Sequence, residues 1–113
     1  DIVPAVRNPG VFRKITVFDP SMLDQTPVPK FQARPHYPPE MRRLGVAGEV
    51  MVDFIVDANG EARNVQVLRS SQREFEAAAV LAVGKWKFRP GRKGGRDVST
   101  HLQVPIVFTL NEG

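Results

Sequence analysis

The sequence predicts an α+β domain of two layers. A three-stranded mixed sheet in the order 2-1-3 carries a main helix on one face, with a short helix ahead of it. Three observations predict this. Residues 48–57 alternate strictly, with Val50, Val52, Phe54 and Val56 on one face. Asp57-Ala58-Asn59-Gly60 then supplies turn chemistry before a second extended run. Between that hairpin and a last alternating run, Phe75, Ala79, Ala82 and Trp86 recur at helical spacing.

Taken in order, the chain opens with a proline-rich stretch: eight of its ten prolines lie in residues 1–39. Proline removes a backbone donor and fixes φ, so residues 1–28 read as a lead-in or linker. One interruption, residues 11–18, has the composition of a short strand. The domain proper is expected over 29–113, entered through an extended segment that ends at Pro39. Pro39 to Gly45 suits a short helix, with an acid near its start, bases near its end and glycine to stop it. The strand from Gly48 to Asp57 and a second from Ala62 to Leu68 form the hairpin. Ser71-Gln72-Arg73-Glu74 has the capping-box pattern and predicts the start of the main helix, whose stripe runs on to Trp86. Arg92 to Gly95 reads as a basic, glycine-rich turn. In the final strand Val98, Leu102, Val104, Ile106, Phe108 and Leu110 all occupy even positions.

The hairpin sets the first two strands antiparallel, and the helix returns the chain so that the third runs parallel to the second. Placing the first strand between the other two gives the order 2-1-3, and a right-handed crossover puts the helix on one face. The third strand is then an edge, as Pro105 suggests, because a central strand needs the donor that proline lacks. If Pro105 turns its nitrogen to the open side, His101, Gln103 and Val107 turn their backbone groups the same way. Such an edge is a receptor for an extended peptide. The plain alternatives are a solvated edge, or one covered by residues 11–18.

Net charge is +4, which favours anionic surfaces without choosing among nucleic acid, anionic lipid and acidic protein. No cysteine is present, which excludes disulfides, thiolate metal sites and a cysteine nucleophile. No apolar run approaches the roughly 20 residues of a membrane-spanning helix. No signal peptide is visible and the first residue is Asp1, so the sequence reads as an excised or processed fragment.

Several stretches share one pattern. They are Arg34-Pro35-His36-Tyr37-Pro38, Gly45-Val46-Ala47-Gly48-Glu49-Val50, Asp57-Ala58-Asn59-Gly60, Asn64-Val65-Gln66-Val67 and Lys85-Trp86-Lys87-Phe88-Arg89-Pro90-Gly91. In this order they resemble the TonB C-terminal domain family over about Pro29 to Leu110. The resemblance implies a periplasmic protein-binding domain, not an enzyme, anchored to the inner membrane in the full-length protein. It implies coupling between an inner-membrane proton-driven motor and outer-membrane transporters, by binding the transporter's TonB box as an added strand beside the last strand. The partner-binding residues it implies are Arg34, Pro35, Tyr37 and Pro38, with His101, Gln103, Val107 and Thr109 on the edge. Well-known members carry glutamine at the position of Arg34. A homodimer through the exposed edge is compatible with this reading. A TonB-like scaffold in other envelope machinery is the alternative within the family.

The remaining signals have plainer readings. Lys85, Lys87, Arg89, Arg92, Lys93 and Arg96 interleave with Trp86 and Phe88, as a single-strand nucleic-acid platform would need. Trp86 completes the apolar stripe, so the charges read as a solvated rim and no nucleic-acid partner is expected. His36 and His101 lack further metal ligands at useful spacing, and no cofactor is implied. Asp53 reads as part of a solvated face, Asp57 as a turn residue and Ser70-Ser71 as a helix start. Gly91 to Gly95 lacks phosphate-loop spacing. Tyr37 has its own plain alternative, packing on the domain.

Overall fold

A computed structural model describes residues 16–110. The alternation over Gly48–Val56 becomes an alternation of burial in strand β3, where Val50, Val52, Phe54 and Val56 are fully buried. Each such side chain contributes roughly 1.5–3 kcal/mol by leaving water, so this strand is the spine of the core. Met51, Asp53 and Ile55 point to the other face and stay half-exposed.

The elements run β1 (Val17–Phe18), β2 (Val28–Phe31), α1 (Pro39–Leu44), β3 (Gly48–Val56), β4 (Ala62–Ser70), α2 (Glu76–Gly84), β5 (Lys87–Arg89), β6 (Gly91–Lys93) and β7 (Arg96–Phe108). The result is a mixed α+β fold with one main helix. β3 lies between β4 and β7, antiparallel to both. The three-stranded expectation needs correction, because the sheet has five strands. β1 adds in parallel beside β7 and β6 pairs with the start of β7, while β2 and β5 form a second, two-stranded sheet.

The turn after β3 shows why its sequence is what it is. The Asp57 carboxylate accepts the amides of Asn59 and Glu61, both at 2.9 Å. Gly60 has φ +84°, and a Cβ there would stand 2.0 Å from the Phe88 carbonyl oxygen. The same close approach lets the Phe88 amide donate to the Gly60 carbonyl at 2.8 Å, fastening the hairpin turn to β5. Gly48 is equally constrained, since a Cβ would lie 2.6 Å from the Phe75 ring.

The capping box does not form. β4 runs to Ser70, so Ser71 is still opposite β3. Its hydroxyl accepts the Glu49 amide at 2.9 Å, and its own amide donates to the Glu49 carbonyl at 2.9 Å. A single 3₁₀ turn, Arg73–Phe75, leads into α2 instead, and the Ser70 hydroxyl bonds Glu76. The helix stops at Gly84, short of Trp86. The stripe nonetheless holds: Phe75, Ala79, Ala82 and Trp86 are all buried. Arg92 to Gly95 is more than a turn, since β6 and the start of β7 make a hairpin around Gly94-Gly95. Of the expected short strand at 11–18, Val17–Phe18 forms β1, and positions 11–15 fall outside the described residues.

Candidate functional site: an open strand edge and the recess at its end

β7 is bordered unevenly. β3 pairs with it from Thr100 to Phe108, β6 with Arg96 to Val98, and β1 with Ser99 and Thr100. The expectation of an edge along the whole last strand is therefore corrected: β1 occupies its early part. From His101 to Phe108, β7 has a strand on one side only among the described residues. Over this stretch its register with β3 runs without a shift.

The opposite border of the sheet is different. Along β4 the register shifts twice, between Met51 and Val52 and between Asp53 and Ile55 of its partner. Both times the extra residue lies on β4, and Asn64 takes φ +52° at one of these irregularities. Bulges twist an edge and spoil it as a pairing template. The regular half of β7 is thus the better border for an added strand.

At the C-terminal end of this open side lies a recess of about 350 Å³, lined by Arg34, Pro35, His36, Tyr37, Arg42, Val107, Phe108 and Thr109. Two pegs hold the Ala33–Tyr37 segment there. The buried Trp86 indole Nε1 donates to the Ala33 carbonyl at 2.9 Å. The Tyr37 hydroxyl donates to the Val46 carbonyl, and its ring meets Phe75 and Phe108 edge-on at 5.6 and 5.7 Å between centroids. The Arg42 guanidinium sits over the other part of the Tyr37 surface, 5.0 Å from the ring centroid. Tyr37 therefore both packs on the domain and shapes the recess.

Of the residues expected to bind a partner, Arg34, Pro35, Tyr37, Val107 and Thr109 come together in this lining. Pro38 stands just behind it, capping α1, where its carbonyl accepts the Arg42 amide. His101 and Gln103 lie farther along β7. Their side chains turn onto the sheet face away from α2, where both reach the Asp53 carboxylate, Gln103 at 3.2 Å. Asp53 is thus engaged across strands. His36 and Arg42 were not expected in the lining.

Two other sequence signals resolve differently. Trp86 and Phe88 are 7% and 5% exposed, so the rings that a nucleic-acid platform would stack bases on lie in the core. Two of the basic residues around them meet acids in space: Lys87 pairs with Glu61, and Arg92 with Asp97. Among the described residues no group of His, Cys, Asp and Glu could hold a metal, and no helix is long and apolar enough to cross a membrane.

The sequence profile described as Gram-negative bacterial TonB protein C-terminal matches residues 33–110. The chain belongs to the TonB C-terminal domain family. The match begins at Ala33, the residue held by Trp86, and takes in both the recess and β7. Among curated relatives, Protein TonB of Xanthomonas campestris pv. campestris is 44% identical over 78 residues, covering 68% of this chain and 35% of that protein. Protein TonB of Vibrio cholerae is 34% identical over 92 residues, covering 80% of this chain and 38% of that protein. The chain thus spans little more than a third of the length of these TonB relatives. The solution NMR structure of the Pseudomonas aeruginosa TonB CTD superposes with a TM-score of 0.67 at 28% identity, covering 80% of this chain and 92% of that one. The fold described above is that of the TonB C-terminal domain.

Proposed function

We propose that this is the periplasmic, peptide-binding domain of a TonB-type transducer, a binding module and not an enzyme. An extended segment of an outer-membrane transporter, its TonB box, adds as a strand along His101 to Phe108. Arg34, Pro35, Tyr37 and Pro38 shape the ground at the end of that strand. Sequence outside this domain anchors the protein in the inner membrane and meets the proton-driven motor there. The observation that carries this reading is the contrast between borders: a regular, one-sided β7 beside a twice-bulged β4. Main-chain pairing supplies affinity that tolerates sequence variation, and side-chain pockets supply selection.

The outward residues set what a guest can use. With Pro105 facing outward, Gln103 and Val107 each offer a donor and an acceptor, Pro105 an acceptor alone, and His101 its carbonyl, since the parallel pairing of Phe18 opposite Thr100 uses the His101 amide. A second copy of the chain could use the same groups, which would give a homodimer by edge pairing.

The test is titration with synthetic transporter N-terminal segments, followed by backbone amide shifts. Saturable shifts confined to Ser99–Thr109 and the Arg34–Pro38 segment are expected. No change at millimolar peptide from the cognate transporters would count against the proposal. Shifts that follow protein concentration instead of peptide would indicate self-pairing.

A further inference from the structure

Resting on the strand-addition reading, we infer that β1 is a fixed stop at the head of the guest's border, so the domain pairs with an extended segment of about eight residues and no more. At Thr100, β7 is paired on both sides, with Val56 of β3 and with Phe18 of β1. β1 therefore lies on the side of β7 that is open from His101 onward, and it shares that border with any added strand. It runs parallel to β7, so its last residue meets the open stretch end-on. Phe18 sends its amide to the Ser99 carbonyl and receives the His101 amide on its own carbonyl.

Two features keep β1 from lengthening or sliding. Alternate residues of a strand turn their backbone groups to the same neighbour, so the next residue after Phe18 to face β7 is Pro20, which has no donor. The chain turns away instead, with Asp19 capping the 3₁₀ turn Pro20–Met22. Beyond that turn, residues 22–25 are clasped to the β6–β7 hairpin. The Asp24 and Gln25 amides donate to the Arg92 carbonyl at 2.9 and 3.2 Å, and the Arg92 amide donates to the Gln25 carbonyl at 2.9 Å. Lys93 Nζ donates to the Met22 carbonyl at 3.0 Å, and the Gly94 amide donates to the Asp24 carboxylate at 2.7 Å. Leu23 fits over Gly91, where a Cβ would stand 2.6 Å from its Cδ1. The clasp is anchored on β6 and the Gly94 turn, away from the open border, so a guest on His101–Phe108 leaves it in place. A guest pushing past His101 gains only the bonds that β1 gives up, and extra length brings no net affinity. Main-chain pairing reads little sequence; a stop gives it a length and a starting point.

The test titrates peptides of alternating threonine and valine, about eight and about twelve residues long, into the protein. Shifts of the Gln103 and Val107 amides report pairing, and hydrogen exchange at the Phe18 amide reports β1. The two lengths should bind within about twofold of each other, less than one hydrogen bond is worth, with Phe18 protected throughout. In Phe18→Pro, which removes β1's donor to Ser99, the longer peptide should bind about fivefold tighter than the shorter, the scale of one further hydrogen bond. Asp24→Ala, which frees the Gly94 amide and leaves β1's own residues intact, should show a smaller gain in the same direction, so the test does not rest on one variant folding. If the longer peptide binds the unaltered protein severalfold tighter while Phe18 loses protection, β1 is a displaceable cover; the inference then falls and strand addition stands. Equal binding of both lengths to the unaltered protein and to both variants, with the edge amides still shifting, also overturns it. No shift of Gln103 or Val107 with any peptide overturns strand addition and the stop together.

Discussion

Replacing Val107 with proline separates the two sides of β7 and tests which one is free. Val107 is 58% exposed, opposite Glu49 of β3, and follows Pro105 in the same parity. Its amide should face the open side, so Val107→Pro removes a donor that β3 does not use. The expected cost in stability is within about 1 kcal/mol. A guest strand loses one hydrogen bond, about 1 kcal/mol or roughly fivefold in affinity. The neighbouring substitution is the control. Ile106 is 6% exposed, opposite the fully buried Val50, and its amide should point into the sheet. Ile106→Pro breaks a ladder bond, strands a buried carbonyl and empties part of the core, about 3 kcal/mol or more together. Urea denaturation of both variants gives the stabilities, and peptide titration of Val107→Pro gives the affinity. If Val107→Pro destabilises as much as Ile106→Pro, the assignment of inward and outward residues is wrong. If it folds normally and binds peptide unchanged, the edge is not where the guest sits.

Other residues give independent checks. Gly60→Ala combines a positive φ with a Cβ placed 2.0 Å from the Phe88 carbonyl oxygen, and should lower stability by more than about 2 kcal/mol in a denaturation curve. Trp86→Phe leaves the Ala33 carbonyl without its indole donor; a loss of about 1–2 kcal/mol is expected, with altered amide shifts from Ala33 to Tyr37. For Asp57, burial raises the pKa, but the Glu61 amide, the Arg63 side chain and the Asn59 amide together bring it below its ordinary 3.8. A carboxylate with a lower pKa in the folded state stabilises the fold above the unfolded-state value, and that contribution fades as pH falls through the folded-state value. Stability should therefore drop as pH falls below about 4, and Asp57→Asn should flatten that part of the profile.

The centre of the fold was legible because its signals are local. Alternation in β3 and β7, the Asp57–Gly60 turn and the apolar stripe each need only a few neighbouring residues to be read. What escaped depends on distant partners. Residues 28–31 read as extended, and they are, but nothing near Val28 announces pairing with Arg89 across the chain. Ser71 fits a helix cap by spacing, yet β4 extends far enough to give its hydroxyl to Glu49. The second irregularity of β4 had a faint signal in Asn64, a residue type that tolerates positive φ; the one beside Leu68 had none. In the site, Tyr37 and the even-odd division of β7 were readable from the sequence. The gathering of Arg34, His36 and Arg42 was not, because it follows from Trp86 and Tyr37 fastening a proline-rich segment against the end of β7.

Amide hydrogen exchange along β7 addresses the central claim most directly. In the free protein, Leu102, Val104 and Ile106 should exchange slowly while Gln103 and Val107 exchange fast. Saturating transporter peptide should then slow the fast set selectively. Uniform protection of all five amides in the free monomer, or fast exchange at Gln103 and Val107 that peptide leaves unchanged, would contradict the account.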